Sequence, residues 1–329
     1  MGPVGYAARR VLQYGVILLA ALTLNFTLPR LAPGDPLFYL FGREVDQLTA
    51  EQRRQVLSQF GLDRPLLEQY GRYLAGIISA DLGTSVRFGR PVSALLAERI
   101  PWTVTLVGSA ILLSAVVGTA AGALAARRRG EGQDVGSMAC VLLLNSMPPF
   151  WVGMILLGVF AVELRWLPSF GAVPPAAAGG GLLFAVEVGR RMILPLATLT
   201  LAYVGGVFLI ARSSMLMALG GDYVRTVRAK GVSEGRVVFR HALRNALLPV
   251  YTNVTLSLGH LLGGATVVET VFSYPGLGRL IYEGVLARDY PLLQGALLLV
   301  ALGVVIANFL ADLGYPLIDP RVRRDGTPE

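Results

Sequence analysis

The sequence predicts an all-α integral membrane protein with six transmembrane helices and with short helices in two of the connecting segments. Hydrophobic residues make up 54% of the 329 residues and charged residues only 15%, whereas a soluble domain carries about 25% charged residues. The mean hydropathy is +0.59. The charges cluster and leave six apolar stretches, each long enough to cross a bilayer core of about 30 Å as a helix of about 20 residues.

Each apolar stretch is interpreted as one helix, because a helix satisfies its own backbone hydrogen bonds in lipid. The predicted spans are 11–29, 103–126, 135–162, 192–217, 249–270 and 291–313. Pro148 and Pro149 interrupt the third span, and proline inside a helix kinks or breaks it. Irregular backbone at membrane depth needs cover from protein or a watery cavity, so we expect this break inside the bundle.

Basic residues set the orientation, because short cytoplasmic loops of membrane proteins are rich in arginine and lysine. The basic groups are 9–10, 127–129, 225–244 and 321–324. With six spans, all four groups fall on one side, which predicts that both termini are cytoplasmic. The net charge of +8 follows from this pattern. We therefore expect contact with membrane lipid and no nucleic-acid partner.

The segment 30–101, between the first two spans, is predicted to be external and to carry two short helices. Thr49 and Gln52 fit a capping box at the start of the first helix. The second is predicted to begin at Pro65 and to be apolar on one face. We expect a small cap that packs on the membrane face and contacts a soluble partner. The other outer loop, 163–191, is rich in Gly, Pro and Ala and predicts little regular structure.

The segment 220–248, between spans four and five, is predicted to be a structured cytoplasmic loop. Its sequence suits two short helices: Asp222 is placed to cap the first, Gly231 to end it in a left-handed turn, and Ser233 to cap the second. Two interpretations stay open. The loop is either a basic segment lying on anionic lipid head groups or a rigid docking element, and a fixed turn favours docking.

No catalytic site is predicted. A Walker A loop needs Gly-Lys-Ser/Thr, and the only lysine, Lys230, lies between Ala229 and Gly231. The chain also has no HExxH motif. One cysteine and two histidines are a poor ligand set for a metal. We therefore expect no metal site and no cofactor of the chain's own.

Polar residues inside the predicted spans mark a candidate translocation path, since polar groups at membrane depth are functional candidates. The candidates are Asn145, Ser146, Asn253, Ser257, His260 and Glu269. Interhelical hydrogen bonding is the alternative role for each of them. An ion-coupled transporter normally has ionisable groups at the midplane, for which His260 is the best candidate. A membrane protease or lipid transferase would need paired catalytic residues, which the spans lack.

The segment 220–248 resembles the EAA loop of ABC-transporter permease subunits, in which E-A-A is followed by three residues, a glycine, nine residues and I-x-L-P. Gly231 matches the glycine. The residues at the E-A-A, Ile, Leu and Pro positions are Arg225, Thr226, Val227, His241, Leu243 and Arg244. This departure is similar to the dipeptide/oligopeptide branch, where R-T-A-R-A-K-G and R-H-A-L-R-N-A-L-x-P are common; this chain has RTVRAKG and RHALRNALLP.

Four further stretches resemble the same family, in the family's order. They are RLAPGDPL (30–37), ADLGTSVRFGRPV (80–92), NSMPPFWVG (145–153) and TVVETVFSYPGLGRL (266–280). Each is weakly specific alone, but the ordered set covers nearly the whole chain. The chain is therefore identified as a member of this family, with a single transmembrane permease domain over residues 1–329.

The resemblance implies a subunit of an ATP-driven importer that forms the path for di- and oligopeptides in the plasma membrane of a prokaryote. The implied partners are a second homologous permease subunit, two cytoplasmic ATPase subunits that bind ATP and Mg, and an extracytoplasmic solute-binding protein. Gly231 would set the bend of the coupling loop. The residues implied in coupling to the ATPase are Asp222, Arg225, Thr226, Ala229, Lys230, Gly231, Arg240, His241, Leu243 and Arg244. Nickel complexes, glutathione or small sugars are alternative cargoes.

Overall fold

The structure is a computed structural model that describes residues 3–31, 49–59, 63–173, 181–259, 261 and 265–318. These residues form helices joined by loops, without a β-strand among them. The helices are α1 (Pro3–Leu31), α2 (Ala50–Gln59), α3 (Leu66–Ile78), α4 (Val92–Arg127), α5 (Gly132–Ser146), α6 (Pro149–Leu156), α7 (Leu182–Leu219), α8 (Asp222–Ala229), α9 (Glu234–Arg236), α10 (Leu243–Gly259), α11 (Thr266–Val271), α12 (Leu277–Ala287) and α13 (Tyr290–Ile318). Two π-helical segments, Leu157–Glu163 and Val237–Ala242, extend α6 and connect α9 to α10.

Four of these helices are long and apolar enough to cross a membrane. Their apolar parts are Arg10–Thr27, Val92–Arg127, Leu182–Leu219 and Tyr290–Leu310. The pair Gly132–Ser146 and Pro149–Glu163 passes the same test only when taken together, with a bend of 100° between its members. The prediction of a helical membrane protein is confirmed, and the described helices supply four or five candidate spans.

The predicted break in the third span is confirmed. α5 ends at Ser146, Met147 is extended, and α6 starts at Pro149. Pro148 disfavours helical backbone at the residue before it, and Pro149 occupies a first helical position, where its missing N–H costs little. The expected burial of this break is wrong for the chain alone, since Asn145, Ser146 and both prolines are exposed.

One predicted boundary differs from the structure. α7 begins at Leu182, so the last ten residues of the predicted irregular loop 163–191 are helical. The Gly/Pro/Ala-rich run ends at Gly181, and the predicted loop was drawn ten residues beyond it. The predicted fifth span, 249–270, corresponds to α10 and α11, and residues 260 and 262–264 between them lie outside the described part of the chain.

The described residues group into two compact units. The first contains α1 to α3, the start of α4, α12 and much of α13. Its core consists of Val92, Leu95, Leu96, Leu277, Leu280, Leu292 and Ala296. Beside it lies the fully buried Asp289, whose carboxylate accepts hydrogen bonds from the Ser85 hydroxyl and from the N–H groups of Arg87 (3.0 Å) and Leu292 (3.2 Å). Asp289 therefore caps the start of α13.

Two short helices lie between the first two candidate spans. The predicted capping box is confirmed: the Thr49 N–H donates to Gln52 Oε1 (2.9 Å), and the Gln52 N–H donates to Thr49 Oγ1 (3.3 Å). α3 packs against α1 through aromatic rings, with the Phe26 centroid 5.1 Å from Tyr70 and 5.5 Å from Tyr73. α3 is therefore packed on α1, and the placement of segment 30–101 as a cap on the outer membrane face stays a prediction.

The second unit contains the rest of α4, α5 to α10 and most of α11. Glycines allow α4 and α7 to approach closely, as small residues do between membrane helices. A Cβ on Gly122 would lie 2.7 Å from the carbonyl oxygen of Phe208. The carboxylate of Asp134 accepts two hydrogen bonds from the Arg212 guanidinium (2.6 and 2.7 Å), which ties α5 to α7.

Candidate functional site

The turn at Gly231 has the predicted left-handed backbone, with a φ of +72°. No described atom lies within 4 Å of a Cβ added to Gly231, so the backbone conformation, rather than packing, favours glycine here. The predicted cap at Asp222 is wrong by one residue. Gly221 occupies the cap position, and Asp222 is the first residue of α8.

The second arm of the loop was predicted to be a separate short helix. Instead it runs without a break into α10. Ser233 occupies the cap position of α9 as predicted, although its hydroxyl makes no capping hydrogen bond to the described backbone. The helical run from Glu234 to Gly259 includes the π-helical segment and passes through Pro249. Pro249 gives up one backbone hydrogen bond but does not end the helix.

An ion pair joins the two arms across the Gly231 turn. Arg228 donates two hydrogen bonds to the Glu234 carboxylate, at 3.2 Å from Nε and 2.6 Å from an Nη atom. These hydrogen bonds lower the pKa of Glu234 and raise the pKa of Arg228. The loop therefore has a fixed bend, as expected of a docking element and not of a tether.

One face of the loop is buried against the ends of α4 and α7. This anchor cluster consists of Val238, Ala242 and Ala246 from the second arm, Ala123 and Ala126 from α4, and Met215 from α7. Val224 and Val237 are also fully buried. The loop therefore has a definite inner face, which fixes the direction of its outer face.

The outer face carries most of the residues implied in coupling. Eight of the ten are exposed, and His241 and Leu243 are half-buried. Two exposed aromatic side chains lie beside them: Tyr223, which the sequence reasoning missed, is 39% exposed, and Phe239, which it counted among the apolar residues of the loop's buried face, is 47% exposed. Each directly neighbours a fully buried valine, Val224 or Val238, and that alternation was the available signal.

A cavity of about 330 Å³ lies in the second unit. Its polar lining comes from Ser114, Asn145, Tyr203, Asn253 and Ser257. The structure therefore brings together three predicted path residues, Asn145, Asn253 and Ser257, from α5 and α10. Sequence reasoning missed Ser114 on α4 and Tyr203 on α7, because single polar residues in long apolar helices give no indication of which helices face one another.

The lining groups differ in their hydrogen bonding. Ser114 Oγ donates to the carbonyl oxygen of Ile111 and Ser257 Oγ to that of Asn253, both at 2.9 Å. The carboxamide of Asn145 lies against α7 at Gly205, where an added Cβ would be 2.6 Å from Asn145 Cγ. The glycine thus makes room for the amide.

The other predicted path residues lie elsewhere. Ser146 is exposed, and its hydroxyl donates to the carbonyl oxygen of Leu142 at 2.8 Å. Glu269 is fully buried in α11 and is not part of the cavity lining. His260 lies outside the described residues. Within the described residues, no three His, Cys, Asp or Glu side chains are grouped to hold a metal ion.

Comparison with known proteins places these features in one family. The profile of the binding-protein-dependent transport system inner membrane component matches residues 118–324, and that of the N-terminal part of such membrane components matches residues 4–107. A putative peptide transport system permease of Brucella abortus (strain 2308) is 39% identical over 96% of this chain and 98% of the relative. The oligopeptide transport system permease of Bacillus subtilis (strain 168) is 37% identical over 96% of this chain and 98% of the relative.

A solved structure supports the fold. A chain of the MetNI methionine ABC transporter, in an inward-facing conformation, has a TM-score of 0.55 and 18% identity, covering 68% of this chain and 96% of its own length. At this identity the likeness concerns the fold alone. The sequence relatives carry the assignment: the chain belongs to the family of binding-protein-dependent transport system inner membrane components.

Proposed function

We propose that the chain is the permease subunit of an ABC importer and that its polar cavity is part of the path for di- and oligopeptides. The main support is the continuous helical run 234–259. It contains the second arm of the loop at one end and Asn253 and Ser257 of the cavity lining at the other. A movement of the loop would reach the path through one helix. The peptide cargo is supported by the relatives named peptide, dipeptide and oligopeptide permeases.

The proposed assembly follows the family. A second homologous permease subunit completes the path, two cytoplasmic ATPase subunits bind ATP and Mg, and an extracytoplasmic solute-binding protein delivers the cargo. The chain itself is a permease component, not an ATPase. Six spans with both termini cytoplasmic, in the plasma membrane of a prokaryote, fit the basic groups 9–10, 127–129, 225–244 and 321–324. In this topology the bent α5–α6 pair crosses once.

The outer face of the coupling loop is the proposed ATPase contact. Its exposed Tyr223 and Phe239 offer apolar area to a cleft, and Arg225, Arg240 and Arg244 offer charge around them. Interfaces draw their energy from such buried aromatic and arginine side chains. The anchor cluster faces away from the ATPase and holds the loop to α4 and α7.

A glycine pair in the loop tests this proposal. Gly231→Val forces a β-branched residue into left-handed backbone, at a cost of about 1–2 kcal/mol, and should uncouple ATP hydrolysis from transport. Gly235→Val is the matched control: no described atom lies within 4 Å of a Cβ at either glycine, but only Gly231 has positive φ. In proteoliposomes holding the complete transporter, peptide uptake per ATP should fall for Gly231→Val and persist for the control.

Full peptide uptake by Gly231→Val would contradict the coupling assignment. Uptake that ignores ATP and stops with a protonophore would instead indicate an ion-coupled carrier. The cargo is tested by offering nickel complexes, glutathione or small sugars in the solution outside the same proteoliposomes. Import of one of these in preference to peptides would contradict the proposed peptide cargo.

A further inference from the structure

We infer that the carboxamides of Asn145 and Asn253 form a subsite for main-chain peptide groups, at which the permease holds its cargo without recognising side-chain charge. The inference rests on the proposed function, because it names how the cavity would bind a peptide. It goes further by assigning the contact to two residues and to one chemical group of the cargo.

The lining of the cavity offers hydrogen bonds but no charge. Among its described residues there is no carboxylate, guanidinium or ammonium group. A charged group entering it would lose water without gaining a counter-charge, which is unfavourable. Neutral groups that both donate and accept hydrogen bonds are therefore the ligand class that fits.

The two asparagines and the Tyr203 hydroxyl are the polar lining groups left to bind such a ligand, and of these the asparagines are the carboxamides. The serine hydroxyls of the lining already donate to backbone carbonyls, as described above. Neither the Asn145 nor the Asn253 side chain makes a hydrogen bond to any described residue. A carboxamide carries two N–H donors and a carbonyl acceptor, and a peptide group carries one N–H and one C=O. The two groups can therefore pair in both directions.

Two adjacent glycines on α7 prepare the site in different ways. Gly205 acts as a positioning residue, because any Cβ there would collide with the Asn145 carboxamide. Gly206 lines the cavity, and a Cβ there would have no described atom within 4 Å. One glycine places the amide, and the other leaves room for the cargo. The volume of about 330 Å³ lies at the small end of ligand pockets, which span about 300–1,000 Å³.

The complete transporter with its solute-binding protein, reconstituted in proteoliposomes, provides the test. The probes are trialanine, its analogue with an ester in place of the central amide, and tripeptides with a central lysine or glutamate. The variants are Asn145→Leu and Asn253→Leu, with Ser146→Ala as the matched control. Ser146 neighbours Asn145 on the same helix but does not line the cavity. The binding protein is identical throughout, so a changed ratio between probes belongs to the permease.

We expect each leucine variant to reduce trialanine uptake by about tenfold, as befits the loss of about one hydrogen bond of roughly 1–1.5 kcal/mol. The ratio of amide to ester uptake should fall towards one, and uptake of the lysine and glutamate peptides should fall in parallel with trialanine. Ser146→Ala should keep the original ratio. Gly206→Ala, whose methyl group enters open space, should assemble normally and lower uptake of all four probes.

An unchanged amide-to-ester ratio in both leucine variants would overturn the inference while leaving the proposed function standing. A change confined to the lysine or glutamate peptide would overturn it too, because the site would then recognise side chains. Failure of both variants to assemble with the ATPase subunits would assign the amides to helix packing and reject the subsite. Absence of any peptide uptake by the unmodified transporter would instead reject the proposed function.

Discussion

Replacing Arg212 with methionine should destabilise the second unit by about 3 kcal/mol. The side chain of Asp134 is only 4% exposed and that of Arg212 is 18% exposed. Removing one partner of a buried ion pair costs about 3–5 kcal/mol, because it leaves the other charge uncompensated. The lower end applies here, since the Asp134 carboxylate would still accept a hydrogen bond from the Gly130 N–H at 2.9 Å.

An exposed ion pair supplies the control. Arg64, just before α3, pairs with Glu68 in the first turn of that helix, with side chains 42% and 46% exposed, and exposed pairs contribute only about 0–1 kcal/mol. Arg64→Met should therefore cost much less than Arg212→Met. The double variant Asp134→Leu/Arg212→Met should recover much of the loss, because it removes the stranded charge together with its partner.

The measurement is equilibrium unfolding of the purified chain in mixed micelles, followed by the fluorescence of its three tryptophans. The free energy of unfolding should rank unmodified protein above the double variant, and the double variant above Arg212→Met. If Arg212→Met costs no more than Arg64→Met, the pair between α5 and α7 does not contribute as its burial implies. A double variant less stable than Arg212→Met would contradict the stranded-charge explanation.

Three further outcomes follow from other contacts. Asp289→Ala should destabilise the first unit by about 1–2 kcal/mol in the same unfolding assay, because it removes the cap of α13; equal stability would contradict the capping role. Glu234 has a lowered pKa, so its pair with Arg228 should contribute fully above the ordinary glutamate pKa of about 4.3 and fade as the pH falls through the lower folded value. Because both side chains are more than 40% exposed, the effect should stay within about 1 kcal/mol, and a stability curve against pH that Glu234→Gln leaves unchanged would refute it. Gly122→Val should separate α4 from α7 and lower the yield of folded protein, measured as the monodisperse peak in size-exclusion chromatography. An unchanged yield would contradict the close packing seen at Phe208.

The sequence was sufficient wherever a feature depends on neighbouring residues. The left-handed turn at Gly231, the break at Pro148 and Pro149, and the Thr49–Gln52 capping box all involve contacts or backbone restrictions within about four residues. Apolar length likewise identified the candidate spans. These features follow from local backbone sterics and from the thickness of the bilayer, neither of which requires knowledge of helix packing.

The features that the sequence did not reveal depend on contacts between residues far apart in the chain. The helix of the second arm runs through Pro249 into the predicted fifth span, with the anchor cluster holding Ala246 beside α4 and α7, and the sequence did not indicate this continuity. Ser114 and Tyr203 line the cavity because of the way α4 and α7 are oriented about their axes in the packed structure. The partner of Asp134 lies 78 residues away. Tertiary packing decides each of these, and one sequence does not reveal it.

The contrast between Gly231 and the run that follows it explains how one loop would serve two tasks in the proposed transporter. Ala246 of the anchor cluster and Asn253 of the cavity are seven residues apart on α10, or about 10 Å at 1.5 Å per residue. A helix transmits displacement over that distance with little loss, and Pro249 is the one position between them where a backbone hydrogen bond is missing. The bend at Gly231 lies outside this run, so in the proposed transporter it would orient the docking surface without interrupting the connection. Under this proposal, docking geometry and transmission would depend on different residues of the same loop, so a change at Gly231 should affect coupling to ATP while leaving the cavity intact.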